Sequence, residues 1–76
     1  MTVRTRTAKG TVKIWHSELG WGLLTSPDVD GEIWAHFSAI EASGYRELYD
    51  GDSVEFRYHR GHQDGYRYVA DSVHRV

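Results

Sequence analysis

Leu19-Gly20-Trp21-Gly22-Leu23-Leu24 and, a short way on, Ile33-Trp34-Ala35-His36-Phe37 decide the fold of this chain. Each is the length of one strand, and each alternates. In the first, Trp21 and Leu23 fall on one face, Gly22 and Leu24 on the other. In the second, Ile33 and Ala35 look one way while Trp34 and His36 look the other. Pro27, Asp28, Asp30 and Gly31 supply turn chemistry between them, so the pattern predicts an antiparallel hairpin. Pairing sets Trp21, Leu23, Trp34 and His36 side by side on one face, an unusual group to leave facing water.

Outward from this hairpin, Gly10 to His16 is rich in β-branched and aromatic residues and reads as the first strand. Residues 1–8 precede it as a polar, flexible arm. Ser17 and Glu18 turn into the hairpin. After Phe37, Ser38 to Glu41 begins like a capped helical turn, which Gly44 stops. Asp50-Gly51-Asp52 is a turn, and Ser53 to Tyr58 alternates as a fourth strand with Val54, Phe56 and Tyr58 on one face. Arg60 to Gly65 is a connection, and Tyr66 to Val76 is the last strand, with Val69 and Val73 as its expected core residues. Five short strands with glycine-rich turns and no long helix predict an all-β chain closed into a small barrel.

A chain of 76 residues is one domain near the lower limit for a self-sufficient core. With no cysteine it has neither disulfides nor thiolate metal sites. No stretch reads as a signal peptide or a bilayer span, so a cytoplasmic protein without membrane association is expected. The net charge of -2 is unevenly spread. Residues 1–16 carry Arg4, Arg6, Lys9 and Lys13 and no acid, while residues 17–56 carry Arg46 against a long run of Asp and Glu. Residues 57–76 turn basic again through Arg57, Arg60, Arg67 and Arg75. Basic ends around an acidic middle can place positive potential beside one surface.

Gly10-Thr11-Val12-Lys13, Gly20-Trp21-Gly22, His36 to Ile40, Gly44-Tyr45 and Gly51 to Phe56 follow one another as in the cold-shock domain. From about Gly10 to Val73 the chain resembles that family, which places the domain at residues 9–76. The resemblance implies a five-stranded antiparallel barrel of the OB type that binds single-stranded RNA or DNA, with a family tendency toward pyrimidine-rich strands. It implies a monomer that acts as an RNA chaperone and a regulator of transcription or translation in the stress response, with no cofactor and no enzymatic activity. Trp21, Trp34, His36 and Phe37 match the family's stacking positions, Tyr45 matches its loop phenylalanine, and Lys13 a family lysine. Such rings suit single strands because every base has a π-face, each contact contributing about 1–3 kcal/mol.

The chain also departs from the family. Ile14 stands where the family has its first-strand tryptophan, with Trp15 in the place of the phenylalanine that follows. Leu23 replaces a second phenylalanine and Leu19 a lysine. The aligned reading puts Trp15 at the edge of the site or partly buried; a bulge turning it outward is the alternative. The expected nucleic-acid surface is therefore Lys13, Trp15, Trp21, Leu23, Trp34, His36, Phe37 and Tyr45. Arg60 and His62, from a stretch richer in positive and ring groups than the family's, are candidate phosphate contacts.

Each residue also has a plainer reading: the tryptophans as core, Tyr45 as a cover on the barrel mouth, Arg60 and His62 as solvated loop. Ile33, Ala35, Gly22 and Leu24 already fill the inner face, which favours exposed tryptophans. No nucleophile–base arrangement or phosphate-cradling glycine loop is recognisable. His59-x-x-His62 lacks a third metal ligand at plausible spacing. The competing class is a small β-barrel interaction module gripping a peptide with its aromatic cluster. A cage needs rings converging on a point, whereas a base platform spreads them along a strip.

Overall fold

The computed structural model describes residues 4–41 and 47–76. Its strands are β1 (Arg6–His16), β2 (Trp21–Thr25), β3 (Ile33–His36), β4 (Ser53–Gln63) and β5 (Tyr66–Arg75), with a 3-10 turn at Phe37–Ala39. They close into a barrel in the order β1-β2-β3-β5-β4. The five-stranded OB-type barrel expected from the sequence is present, but it is not wholly antiparallel. β3 and β5 run parallel, joined through Ile33 with Tyr68 and Trp34 with Val69.

The predicted hairpin forms with the expected faces, pairing Trp21 with His36, Gly22 with Ala35, Leu23 with Trp34 and Leu24 with Ile33. Other boundaries moved. β1 begins at Arg6, not Gly10, because residues 6–11 pair with β4 and bury Ala8. The arm expected over residues 1–8 thus gives up its last three residues to the barrel. β4 likewise runs on to Gln63, and the β4–β5 connection shrinks to Asp64-Gly65. Both have positive φ, 50° and 86°, as a two-residue type I′ hairpin turn requires.

The core is filled by Val12, Leu24, Ile33, Leu48, Val54, Phe56 and Val73, all essentially inaccessible. Burial of such side chains stabilises by about 1.5–3 kcal/mol each. Val54, Phe56 and Tyr58 point inward together, as their alternation predicts. On β5, Val73 is core but Val69 faces outward, and Ala70 takes the inner place.

The most consequential local feature is a bulge in β1. Val12 pairs with Leu24, yet Ile14 pairs with the very next residue back, Leu23, leaving Lys13 without a partner on β2. The extra residue shifts the alternation, so Ile14 faces outward and Trp15 inward. Trp15 is 8% exposed and belongs to the core cluster. Its cross-strand neighbours are the small Gly22 and, beyond that, Ala35. A Cβ built on Gly22 would lie 2.2 Å from Trp15 Cε3 and 2.5 Å from the Ile14 carbonyl oxygen. Only glycine leaves room for the indole.

Past Thr11, β1 has no strand on its β4 side, and a turn substitutes. Val12 N–H donates to the Asp52 carbonyl, Gly51 N–H to the Val12 carbonyl, and Trp15 N–H to Asp50 Oδ1 at 2.7 Å. The backbone donors of Val12 and Trp15 are thereby satisfied.

Trp15→Ala is expected to destabilise the protein by about 3–5 kcal/mol, and Gly22→Ala by about 1–3 kcal/mol through overpacking. Urea denaturation followed by circular dichroism measures both. Native-like stability in Trp15→Ala would place the indole outside the barrel.

Candidate nucleic-acid interface

Bulge and hairpin register together decide which side chains leave the barrel. One outward row crosses all five strands: Ile14, Leu23, Trp34, Val69 and His59, each paired with the next. Beside it runs a shorter row of His16, Trp21 and His36. The indoles of Trp21 and Trp34 lie 6.2 Å apart at 20°, and Trp34 and His36 5.9 Å apart at 19°. His16 extends the strip at one end, 4.6 Å from Trp21, and Phe37 at the other, 4.5 Å from His36.

Of the residues expected here from sequence, Trp21, Trp34, His36 and Phe37 come together. Phe37 is 44% exposed because β3 ends at His36, so strand alternation no longer governs it. Its N–H donates to the Gly20 carbonyl at 2.8 Å, tying it to the turn that precedes Trp21. Two expectations require correction. Trp15 is removed from the surface by the bulge and supports the strip from beneath. Leu23 has its place on the correct face but is only 6% exposed, between Ile14 and Trp34; it is floor, not contact surface. Tyr45 lies outside the described residues.

His36 is held in a defined orientation. Its Nδ1 lies 2.8 Å from Ser38 Oγ and accepts the Ser38 backbone N–H at 3.3 Å. A backbone N–H can only donate, so the neutral ring carries its proton on Nε2, the nitrogen pointed away from the turn. Trp34 contributes a different feature: its Nε1 is buried with no hydrogen-bond partner among the described residues. An orphaned donor costs about 1–3 kcal/mol, a local cost borne in the middle of the ring strip.

The cations are arranged less simply. Lys13, exposed in the bulge, donates to Glu32. The Glu32 carboxylate that accepts this bond holds the ammonium above its ordinary pKa. Lys13 is therefore a partly compensated charge beside the strip. Arg60 and His62 sit on the extension of β4, where with Gly61 and Arg67 they line a cleft of about 220 Å³. His59 Nδ1–H donates to the Asp71 carboxylate at 2.9 Å. Among the described residues no three His, Asp or Glu side chains gather where a metal ion could be held.

Several acids are tied into the fold. Asp50 and Asp52 anchor the turn beside β1, Asp52 also accepting from Arg75 Nε at 3.0 Å. Asp30 accepts the Tyr68 hydroxyl. That bond holds the Asp30 carboxyl below and the Tyr68 hydroxyl above their ordinary pKa values.

Sequence reasoning missed His16, Val69 and His59 as members of the outer rows. The signal for His16 was its place at the strand end opposite Trp21. Val69 and His59 depend on a parallel seam and a second bulge that no local pattern announces. For Trp15 a signal existed: two small residues, Gly22 and Ala35, on the inner face mark a gap that a large neighbour must fill.

Comparison with known proteins agrees with this geometry. Residues 8–75 match the model of the 'cold-shock' DNA-binding domain. The chain is 43% identical to the major cold shock protein of Micrococcus luteus over 49 residues, 64% of this chain and 73% of that one. It is 45% identical over 49 residues to cold shock protein ScoF of Streptomyces coelicolor, with the same shares covered. To the cold shock-like protein CspC of Escherichia coli it is 38% identical over 53 residues, 70% of this chain and 77% of that one. With residues 8–75, nearly its whole length, matched by the family model, the chain belongs to the cold-shock domain family of nucleic-acid-binding proteins.

Proposed function

We propose that this protein binds single-stranded RNA or DNA by stacking bases on the strip formed by His16, Trp21, Trp34, His36 and Phe37. The observation that carries the reading is the near-parallel alignment of Trp21, Trp34 and His36 on a barrel face whose interior is already filled. Rings laid side by side offer successive flat surfaces to successive unpaired bases, whereas a cage for a peptide side chain would turn them toward one point. The Nε2 proton of His36 adds a donor for a base edge.

Binding of only the unpaired state shifts duplex equilibria toward open strands by mass action. RNA-chaperone action in the cytoplasm follows from that without ATP, as do effects on transcription or translation wherever the occupied strand matters. Nothing in the mechanism requires a catalytic group, a cofactor or a second protomer. Stacking supplies affinity with little discrimination among bases, and a preference for pyrimidine-rich strands is the family's contribution to the proposal. Three features set the expected strength below that of a fully aromatic relative. Ile14 occupies the outward first-strand position with an aliphatic side chain, Leu23 offers no π-face, and Lys13 is engaged by Glu32.

Intrinsic tryptophan fluorescence, titrated with oligothymidine and with a matched duplex, tests the proposal. Strong quenching by the single strand alone is expected, and no response to either would refute stacking on Trp21 and Trp34. Trp34→Ala is expected to weaken binding about 5- to 150-fold, the equivalent of one stacking contact, with the barrel still folded by circular dichroism. Ile14→Trp is expected to tighten binding by adding a ring in the outer row; unchanged affinity would show that this position lies off the ligand's path.

A further inference from the structure

The two basic ends of the sequence, separated by its acidic middle, meet in the fold. β1 pairs with β4 through Arg6 opposite Tyr58, so the start of β1 lies along the extension of β4. Arg4, Arg6 and Arg60 line one cleft of about 270 Å³ with Tyr58, His59, Tyr68 and the β2–β3 turn. Arg60 also lines a second cleft, with His62 and Arg67.

Three further observations bear on what this cleft takes. Arg4, Arg6 and Arg60 make no ion pair among the described residues, in contrast to Lys13 and Arg75. The two acids at the rim, Asp28 and Asp30, offset part of their charge and leave a surplus: three guanidiniums face two carboxylates, with the Tyr68 hydroxyl, Arg67 and Arg60 among the groups that hold Asp30 ionised. Finally, the cleft adjoins the ring strip. His59 lines it, and His59 ends the outward row that reaches Trp34 through Val69. Two strand spacings, about 10 Å, separate Trp34 from His59.

We propose that the cleft lined by Arg4, Arg6 and Arg60 is a phosphodiester-binding site, holding the backbone of a single strand as it leaves the ring strip across β5 and β4. The proposal rests on the base-stacking reading above and adds a direction and a second contact region to it. Guanidinium groups suit this role because each presents a planar fork of donors to phosphate oxygens. The strip supplies π-faces with one compensated cation beside it, and the cleft supplies the charge that the strip lacks.

The test compares oligothymidines of ~4 and ~12 nucleotides, lengths within the range that one OB-type barrel occupies. Each is titrated against the unaltered protein, Arg4→Gln/Arg6→Gln and Arg4→Lys/Arg6→Lys, at several salt concentrations. Tryptophan quenching reports the strip, and thermal melting confirms that the variants fold. The glutamine variant is expected to bind the longer strand several-fold more weakly, with a salt slope shallower by about 0.7 per arginine lost. Its binding of the short strand is expected to be unchanged, and lysine to restore most of the slope. Equal weakening for both lengths would overturn the track, since the arginines would then act through a general field. Unchanged binding of the longer strand would overturn it as well. If inorganic phosphate at millimolar concentration competes with the short strand as strongly as with the long one, the anion site lies on the strip itself and the proposal is wrong. Absence of quenching by any strand in the unaltered protein would instead refute the stacking reading, and the track with it.

Discussion

Trp15 packed on Gly22 is the contact around which the rest of the barrel is arranged. The indole cannot occupy that space unless β1 gains a residue between Val12 and its own position, and the bulge at Lys13 provides it. The same shift sends Ile14 and His16 outward, lets Trp21 and Trp34 stand above a filled interior, and leaves Lys13 at the edge within reach of Glu32. The N–H of Trp15, which has no strand beside it, is taken by Asp50. Packing on the inside thus determines composition on the outside: one indole is buried, and Ile14, His16, Trp21 and Trp34 are turned outward.

Charge follows a second logic, set by topology. Strand order β1-β2-β3-β5-β4 brings the first and fourth strands together, and with them arginines that lie far apart in the chain. The acids between them are mostly employed in structure: Asp50 and Asp52 at the turn beside β1, Asp30 on Tyr68, Glu55 with His74 at 3.2 Å. A net charge of -2 therefore coexists with a basic cleft, because most of the negative charge is distributed elsewhere.

The hairpin of Trp21 to Leu24 with Ile33 to His36 was legible because alternation of period two and a turn between the segments are local signals. So were the inward Val54, Phe56 and Tyr58, and the membership of Trp21, Trp34, His36 and Phe37 in one surface. What could not be read depended on distant pairing. Arg6 to Ala8 look like a polar tail until β4 lies beside them, and Val69 looks like core until a bulge in the β4–β5 ladder turns it outward. Trp15 illustrates the limit best. Both registers of β1 bury one apolar residue and expose the next, and only the absence of a side chain at Gly22 decides between them.

The parallel seam between β3 and β5 carries a consequence for how the molecule is made. Two residue pairs close the barrel there, and they join segments from opposite halves of the chain. Loop-closure entropy must be met before such a contact returns any stabilisation, as it must for the still more distant pairing of β1 with β4. Trp34, at the centre of the ring strip, is one of the seam's four residues. A strand lying across Trp34 and Val69 would therefore bridge a non-local joint of the barrel, and by binding only the closed state would add to its stability through mass action.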